Sequence, residues 1–238
     1  MAAPRSRTRK GPSDGARRRA SHSLEAVVSE AVALLDEAGE QALTFRALAG
    51  RLGGGVASIY WYVENKEELL DRATDHVVAG VLADTERFTG DDDPIDNLRS
   101  MGVTVFEAIV DRPWLASYFM RNVGLQPNGL LLYERLGQQV LRLGLPPRES
   151  FHAVSAVLGF VIGIAADLGQ EPPEEVLQGI TSREEFMQRV VDDWSALDPE
   201  EYPFLHHILD EFAGHDDVDQ FRAGLDMLLE GLRLQAGS

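Results

Sequence analysis

The apolar residues of this chain recur mainly at three- and four-residue spacing, the period of an amphipathic α-helix. No convincing run of alternating β-branched residues appears, so no sheet is expected. Ser23, Thr44 and Asn65 each cap a predicted helix, Gly39 ends the first one, and Glu68 completes a capping box with Asn65. The predicted helices cover residues 24–38, 45–52, 56–62, 66–84, 95–111, 114–123, 130–143, 148–168, 183–197, 203–212 and 218–234.

Proline, glycine and acidic residues divide the chain into parts. A loop at residues 90–94 separates a small N-terminal head from a larger, bundle-like body, and residues 170–181 form a proline-containing linker. The predicted fold class is therefore all-α. The longest apolar run, residues 153–166, is interrupted by Ser155 and is shorter than the roughly 20 residues that a membrane span needs, which indicates a buried helix.

The charges are distributed unevenly along the chain, and this distribution leads to a different expectation from the net charge. The formal net charge is −17, which by itself argues against a nucleic-acid partner. Residues 1–20, however, hold seven basic residues and only one acidic residue, Asp14. A basic arm on an acidic chain is typical of phosphate binding, although such tails also serve solubility alone.

The chain contains no cysteine and opens without an apolar stretch. A disulfide framework and thiolate metal sites are thereby excluded, and the composition fits a reducing cytosol. No signal peptide is expected. The sequence also lacks the Gly-x-Ser-x-Gly, His-Glu-x-x-His and phosphate-loop motifs of common enzymes, so no enzymatic activity is expected.

Residues 44–62 have the pattern of two short helices joined by a tight turn. Such a pair needs a small residue at the crossing and a residue that tolerates left-handed dihedral angles in the turn, which Ala49 and Gly53 provide. Leu48, Leu52 and Ile59 are placed to pack on the first helix. The second helix of the pair is then free to enter a DNA major groove, but an ordinary helical hairpin has the same spacing.

The segment LTFRALAGRLGGGVASIYWYVENKEELLD, from Leu43 to Asp71, resembles the DNA-binding head of the TetR (tetracycline repressor) family of bacterial regulators. The part IYWYVENKEELL carries the most specific resemblance. SFHAVSAVLGFVIG and FRAGLDMLLEGL are similar to the family's C-terminal domain more loosely. The resemblance implies a basic disordered arm at 1–22, a three-helix helix-turn-helix DNA-binding domain at 23–66, and a helical-bundle ligand-binding and dimerisation domain at 67–238, with residues 67–84 as a linking helix.

The resemblance also implies which residues contact double-stranded operator DNA. Arg46 matches a position that reaches a base, and Thr44 and Lys66 match phosphate contacts. The remaining expected contacts lie in and after the recognition helix: Val56, Ala57, Ser58, Tyr60, Trp61 and Tyr62. Packing is an equal alternative for Trp61. Because Gly54 to Ala57 offer few hydrogen bonds, we expect Arg46, Ser58 and the basic arm to supply much of the discrimination.

The family binds its small-molecule effector between the central helices of the body, where aromatic residues concentrate in this chain. The residues expected at this site are Phe106, Trp114, Tyr118, Phe119, Asn122, Gln138, Phe151, His152, Phe160, Asp167 and Trp194. Tyr133, Phe186 and Gln126 belong to the wider set. Some of these side chains are simply core, and His152 fits a core histidine better than a ligand-binding one.

No metal or cofactor is expected. The metal-binding histidine of the tetracycline repressors falls near Tyr118 or Phe119, where this chain has only aromatic side chains. The effector is therefore predicted to be largely apolar. A cluster of His206, His207, Asp210 and Glu211 does not converge on one site at helical spacing and lacks a further ligand.

The resemblance further implies a homodimer. Gly159 and Gly163 permit close approach of another helix, and the last helix carries Phe221, Leu225, Leu228, Leu229 and Leu232 in one stripe. A monomeric bundle is the alternative. The expected function is a cytoplasmic repressor that a small effector releases from a palindromic operator, with no membrane partner. The alternatives are an activator, or a DNA-binding regulator without ligand control.

Overall fold

A computed structural model describes residues 22–90, 92–119, 126–170 and 172–237. These residues form α-helices and one 3-10 turn, Glu86–Phe88, without a strand among them. The helices are α1 Leu24–Ala42, α2 Phe45–Arg51, α3 Val56–Ile59, α4 Lys66–Thr85, α5 Pro94–Val110, α6 Pro113–Phe119, α7 Pro127–Leu141, α8 Pro147–Leu168, α9 Glu174–Leu177, α10 Arg183–Ser195, α11 Pro203–Gly214 and α12 Asp217–Ala236. The predicted all-α class is confirmed.

The first third of the chain builds most of a head that has a separate apolar core. Helices α1, α2 and α3 contribute side chains that are fully buried, among them Val27, Leu48 and Ile59. Leu69 and Leu70, in the first turns of α4, complete this cluster. Burying a side chain of this size stabilises the fold by about 1.5–3 kcal/mol, so three short helices can hold together only by sharing this core.

A second apolar core holds the body together. Helix α8 packs against α5, α6, α7 and α12, and its buried residues lie at the centre. In the described part of the chain, α8 alone is long and apolar enough to cross a membrane by length and composition. One stripe of α8, including Val154, Val157 and Val161, is buried in this core, while its other side is exposed, so the predicted buried helix is confirmed only in part.

Helix α4 belongs to both cores. Its first half packs in the head through Leu69, Leu70 and Ala73, and its second half packs in the body through Val78 and Val81. Because the first half of α4 is part of the head core, a displacement of α4 relative to the body also moves the head.

The helix boundaries agree with the sequence predictions to within a few residues, with four differences. The recognition helix α3 ends at Ile59 rather than Tyr62, because the Tyr62 amide bonds the carbonyl of Ile59 and tightens the chain into a turn. The carboxylate of Glu68 accepts from the amide of Glu64, not from Asn65 as in the expected capping box.

The other two differences lie at Gly39 and in the linker. Gly39, with a φ of 71°, breaks the helical dihedral angles as predicted, but a further short helical segment follows the kink, so α1 extends to Ala42. The linker at 170–181 contains the short helix α9. Residues 120–123, predicted as the end of a helix, lie outside the described residues.

The close helix contacts of the body involve Gly224 and Gly102, whereas the sequence spacing pointed to Gly159 and Gly163. A Cβ placed on Gly224 would come within 2.5 Å of the Phe160 ring, and one on Gly102 within 3.3 Å of Leu225. Gly159 and Gly163 have nothing within 4 Å of such a Cβ. The small residues of α8 therefore line an open face of the chain.

Candidate nucleic-acid interface and effector cavity

The turn between α2 and α3 has the geometry that a helix-turn-helix requires. Gly53 adopts a φ of 70°, in the left-handed region that favours glycine. The amide of Gly54 bonds the carbonyl of Ala49, and Ala49 is buried where the helices cross. The roles predicted for Ala49 and Gly53 are confirmed.

Most of the residues that the sequence assigns to DNA are exposed on the head, in or beside α2 and α3. Thr44 and Arg46 are exposed in the first turn of α2, and Val56 and Ala57 are exposed at the start of α3. Trp61 is 86% exposed and Tyr60 59% exposed, although both are large and apolar. Exposed aromatic side chains at this density are typical of an interaction surface.

Several side chains of this surface already have partners within the chain. The Tyr62 hydroxyl donates to the carbonyl of His22, which holds the start of α1 against the recognition helix. Lys66 Nζ lies 2.8 Å from the carbonyl oxygen of Glu40, and Ser58 Oγ donates to the carbonyl of Gly55 at 2.6 Å. A phosphate that takes a hydrogen bond from Tyr62 or Lys66 must compete with these partners.

Two arginines of α2 have different roles. Arg51 pairs with Glu30 at 2.6 Å and with Glu37 at 2.7 Å, which ties α2 to α1. The hydrogen bond from Arg51 lowers the pKa of the Glu37 carboxyl, and the same bond raises the pKa of Arg51. Arg46 lies on the opposite, exposed side, and the described residues include no ion pair to it. Its guanidinium is therefore open to solvent.

The head and the body meet through α6. Trp114 Nε1 donates to Asp36 Oδ1 of α1 at 2.8 Å, and Arg112 Nε lies 3.2 Å from Asp36 Oδ2. Tyr118, one turn further along α6, is buried in the head core. Helix α6 thus contacts α1 at one end and closes the wall of a body cavity at the other.

That cavity lies between α4, α6, α7 and α8. Its free volume is about 30 Å³, room for roughly one water molecule. Most of the lining is apolar or aromatic, and the polar side chains come mainly from α4. The lining residues are Asp71, Thr74, Asp75, Val78, Tyr118, Phe119, Gln126, Gly129, Leu132, Tyr133 and Leu158.

Of the ten expected effector residues that the structure describes, two line this cavity, Tyr118 and Phe119. Phe106 is buried and stacks on Phe221 with ring centroids 3.7 Å apart, and Phe160 lies 5.9 Å from the same ring. Trp114 is held by its hydrogen bond to Asp36 of the head. Asn122 lies outside the described residues.

The remaining expected effector residues lie at the surface or in other helix pairs. Phe151 is 62% exposed, and His152 lines a groove between α8 and α12. Gln138 bonds Glu134, Asp167 bonds Gln170, and Trp194 stacks on Phe212 at 4.3 Å. Sequence reasoning missed Thr74 and Asp75, because α4 was interpreted only as a linker. In the sequence they stand among other polar residues, Asp71, Arg72 and His76, so no local signal sets them apart.

The groove between α8 and α12 is an open, mostly apolar face of the body. It has a volume of about 290 Å³ and is lined by Ala153, Ala156, Met227, Leu228 and Gly231, with polar residues at its edges. Met227 is 73% exposed and Leu234 74% exposed on the same side of α12. The apolar stripe of α12, including Phe221 and Leu225, points the other way, into the chain's own core.

No group of three or more metal-ligating side chains occurs among the residues that the structure describes. In the cluster considered at 206–211, His206 Nε2 lies 2.9 Å from the carbonyl oxygen of Leu197, a contact that fits a structural role.

A head with an exposed second helix, on a larger helical body with its own cavity, defines a helix-turn-helix transcriptional regulator. Residues 27–73 match the family described as bacterial regulatory proteins of the tetR family, and residues 88–236 match the tetracyclin repressor-like C-terminal domain. The chain therefore belongs to the TetR family of bacterial transcriptional regulators, and it is not an enzyme.

Known proteins with the same organisation span nearly the whole chain. The HTH-type transcriptional repressor DrrR1 of Streptomyces coeruleorubidus is 28% identical over 212 residues, which cover 89% of this chain and 77% of that protein. The structure of SCO7222, a TetR from Streptomyces coelicolor, is 36% identical with a TM-score of 0.74 and covers 90% of this chain and 99% of the other. ActR of S. coelicolor in complex with actinorhodin shares the fold at 23% identity, with a TM-score of 0.74 over 91% of this chain and 99% of that one.

Proposed function

We propose that this protein is a homodimeric repressor that binds a palindromic operator through α2 and α3 and leaves it when a small effector enters the body. The observation that carries the proposal is the exposed surface of Arg46, Tyr60 and Trp61 on a head that shares α4 with the cavity. Occupancy of the operator blocks transcription. As a DNA-binding regulator, the protein acts in the cytoplasm.

The DNA contacts divide into two kinds. Arg46 offers a fork of donors to a base, while Val56 and Ala57 press apolar surface on thymine methyl groups. Thr44, Tyr60, Trp61, Tyr62 and Lys66 surround them and contact phosphates, which position the protein without reading sequence. The basic residues before Ser23 add phosphate contacts that the acidic body cannot provide.

The open face of α8 and α12 supports the dimer. Gly159 and Gly163 leave room for a helix that the described part of the chain does not supply, and Met227 and Leu234 are exposed beside them. Pairing these two helices with their copies around a twofold axis buries this surface as a four-helix bundle. The axis then sets two recognition helices about 34–36 Å apart, one turn of DNA.

The cavity between α4, α6, α7 and α8 supports effector control. Its apolar walls suit a small, largely apolar molecule, and ActR, a protein with this fold, has been crystallised with actinorhodin. Because α4 carries part of the head core, an effector that displaces α4 changes the spacing of the two heads. By linkage, operator DNA then weakens effector binding by the same factor.

The DNA-binding part is tested by selecting duplexes from a random library with the full-length protein and titrating the best duplex at two salt concentrations. The proposal predicts a palindromic consensus and an affinity that falls steeply as salt rises. A variant that lacks residues 1–20 is expected to bind more weakly with a shallower salt dependence. An unchanged affinity for that variant at moderate salt removes the arm from the proposal.

The dimer is tested by light scattering of Gly159→Leu, with Gly137→Leu in α7 as the matched control. A Cβ added at either glycine would have no neighbouring atom within 4 Å, so both variants are expected to fold. Gly159→Leu should raise the fraction of monomer at micromolar concentration, and Gly137→Leu should not. A dimer equally stable in both variants contradicts the proposed face.

A further inference from the structure

Three polar residues of α4 line the cavity: Asp71, Thr74 and Asp75. Thr74 lines the cavity, is 6% exposed, and its hydroxyl Oγ1 has no hydrogen-bond partner among the described residues. A buried hydroxyl without a partner costs about 1–3 kcal/mol and is a feature that native proteins keep for a reason. The Thr74 hydroxyl is therefore available to form a hydrogen bond with a ligand in the cavity.

Asp75, the next residue, joins α4 to the first turn of α7. Its carboxylate accepts from the Asn128 amide at 2.9 Å, from Asn128 Nδ2 at 2.8 Å and from the Gly129 amide at 3.4 Å. The N-cap residue of α7, Gln126, makes no capping hydrogen bond with its own side chain. The cap of α7 is thus supplied by another helix, from a residue 53 positions earlier in the chain.

These contacts hold α4 and α7 together along one wall of the cavity. The free volume of about 30 Å³ is far below the roughly 300–1,000 Å³ of ordinary ligand sites, so some of the four helices that line the cavity must move apart before a ring system fits. Asp75 and Gly129 both line the cavity, and their hydrogen bond spans α4 and α7. A movement that separates α4 from α7 therefore widens the cavity and breaks this bond.

We propose that Asp75 is the latch between cavity and head: an effector that donates a hydrogen bond to Asp75 and bonds Thr74 Oγ1 replaces the α7 amides and frees α4. The inference rests on the proposed function and names the chemistry of its effector. The ligand carries a hydroxyl or amine donor on an apolar ring system. An anionic effector is disfavoured, because it would place negative charge beside the Asp75 carboxylate.

The latch is tested first without a ligand, with full-length Asp75→Ala and with Asp84→Ala as the matched control on the exposed end of the same helix. Alanine favours the helix, and circular dichroism checks that both variants keep their helical content. Hydrogen exchange at the amides of Asn128 and Gly129 is expected to be about tenfold faster in Asp75→Ala and unchanged in Asp84→Ala. Equal protection in wild type and Asp75→Ala overturns the latch.

Affinity for DNA then separates the latch from the proposed function. On the duplex that the wild type enriches most, Asp75→Ala is expected to bind about 5- to 30-fold more weakly, and Asp84→Ala within twofold of wild type. Wild-type affinity in Asp75→Ala overturns the latch and leaves the repressor proposal standing. A wild type that enriches no duplex refutes the repressor proposal, while the exchange rates still decide whether Asp75 holds α7.

The ligand class is tested by calorimetry with two probes of the same shape, 2,6-dihydroxynaphthalene and 2,6-dimethoxynaphthalene. The dihydroxy compound, which can donate to Asp75, is expected to bind at least about tenfold more tightly than the dimethoxy compound, which cannot. Thr74→Val should reduce that preference. Equal affinities, or no measurable binding of either probe, contradict the class of ligand inferred from Asp75 and Thr74.

Discussion

The DNA-binding head and the helical body differ in how their functional residues are distributed along the chain. The head places its exposed contact surface within residues 44–66, on two short helices and the start of a third. The body assembles its cavity from residues between Asp71 and Leu158, on four helices. A function carried by neighbouring residues has a local sequence pattern, while one assembled from distant helices depends on how those helices pack. The four predictions that follow test this difference, from the largest expected effect to the smallest.

Phe106 and Phe151 are both aromatic residues of the body, and the sequence treats them alike. In the structure Phe106 is 2% exposed and stacks on Phe221, while Phe151 is 62% exposed. Phe106→Ala should lower the free energy of unfolding by about 3–5 kcal/mol, and Phe151→Ala by less than about 0.5 kcal/mol. Urea unfolding at one protein concentration measures both, and similar losses would refute the packing described for α5 and α12.

Arg46 tests the surface of the head in the same way. Arg46→Ala should weaken binding to the selected duplex by about tenfold to a hundredfold, equivalent to about 1–3 kcal/mol, and relax the preference at one base position. Arg148→Ala, an exposed arginine at the start of α8, is the matched control and should have little effect. Fluorescence anisotropy with matched and mismatched duplexes makes the measurement. An equal loss in both variants would mean that Arg46 acts only through net charge.

Two glycines of the helix-turn-helix should respond to alanine with opposite signs. Gly53 has a φ of 70°, so Gly53→Ala should destabilise the head by about 1–2 kcal/mol. Gly50 lies inside α2 with open space around it, and Gly50→Ala should stabilise the head by about 0.4–1 kcal/mol. Thermal unfolding distinguishes the two, and a gain from Gly53→Ala would contradict the turn geometry.

Glu68 gives the smallest effect, and it depends on pH. Its carboxylate accepts from the Glu64 amide and from Arg72, and these bonds lower the pKa of Glu68 below its ordinary value of 4.5. The stabilisation is therefore present above pH 4.5 and is lost as the pH falls through the lowered pKa.

Glu68→Ala should accordingly cost a few tenths to about 1 kcal/mol at pH 7 and progressively less below pH 4.5. Urea unfolding at several pH values measures this difference. The same substitution at the exposed Glu107 is the control. A cost for Glu68→Ala that grows as the pH falls would show that the contacts of Glu68 act in another way.

The sequence predicts most of the fold, since periodicity and capping locate the helices to within a few residues. It also predicts the turn at Gly53, because a left-handed φ has a residue requirement that can be read locally. It does not predict which aromatic residues line the cavity. Phe106 and Phe119 are both aromatic residues of predicted body helices, so the sequence does not distinguish them. In the structure Phe106 packs against Phe221 in the core, while Phe119 lines the cavity.

The contacts of Asp75 and the exposure of Gly159 and Gly163 also depend on packing that a local sequence pattern does not predict. The cap that Asp75 gives to α7 joins residues 53 positions apart, and no local motif records it. Gly159 and Gly163 have the spacing of a helix contact, but the chain leaves them open and makes its close contact at Gly224 instead. A helix pair inside one chain and a pair between two copies give the same small-residue pattern.

The central claim is that two copies of the head bind one palindrome, and native mass spectrometry of the protein with its selected duplex tests it most directly. A dimeric repressor predicts one discrete complex that contains the duplex and two chains of 26.2 kDa each. A complex with a single chain, or a ladder of species without a dominant pair of chains, would contradict the dimeric repressor and the role assigned to the open face of α8 and α12.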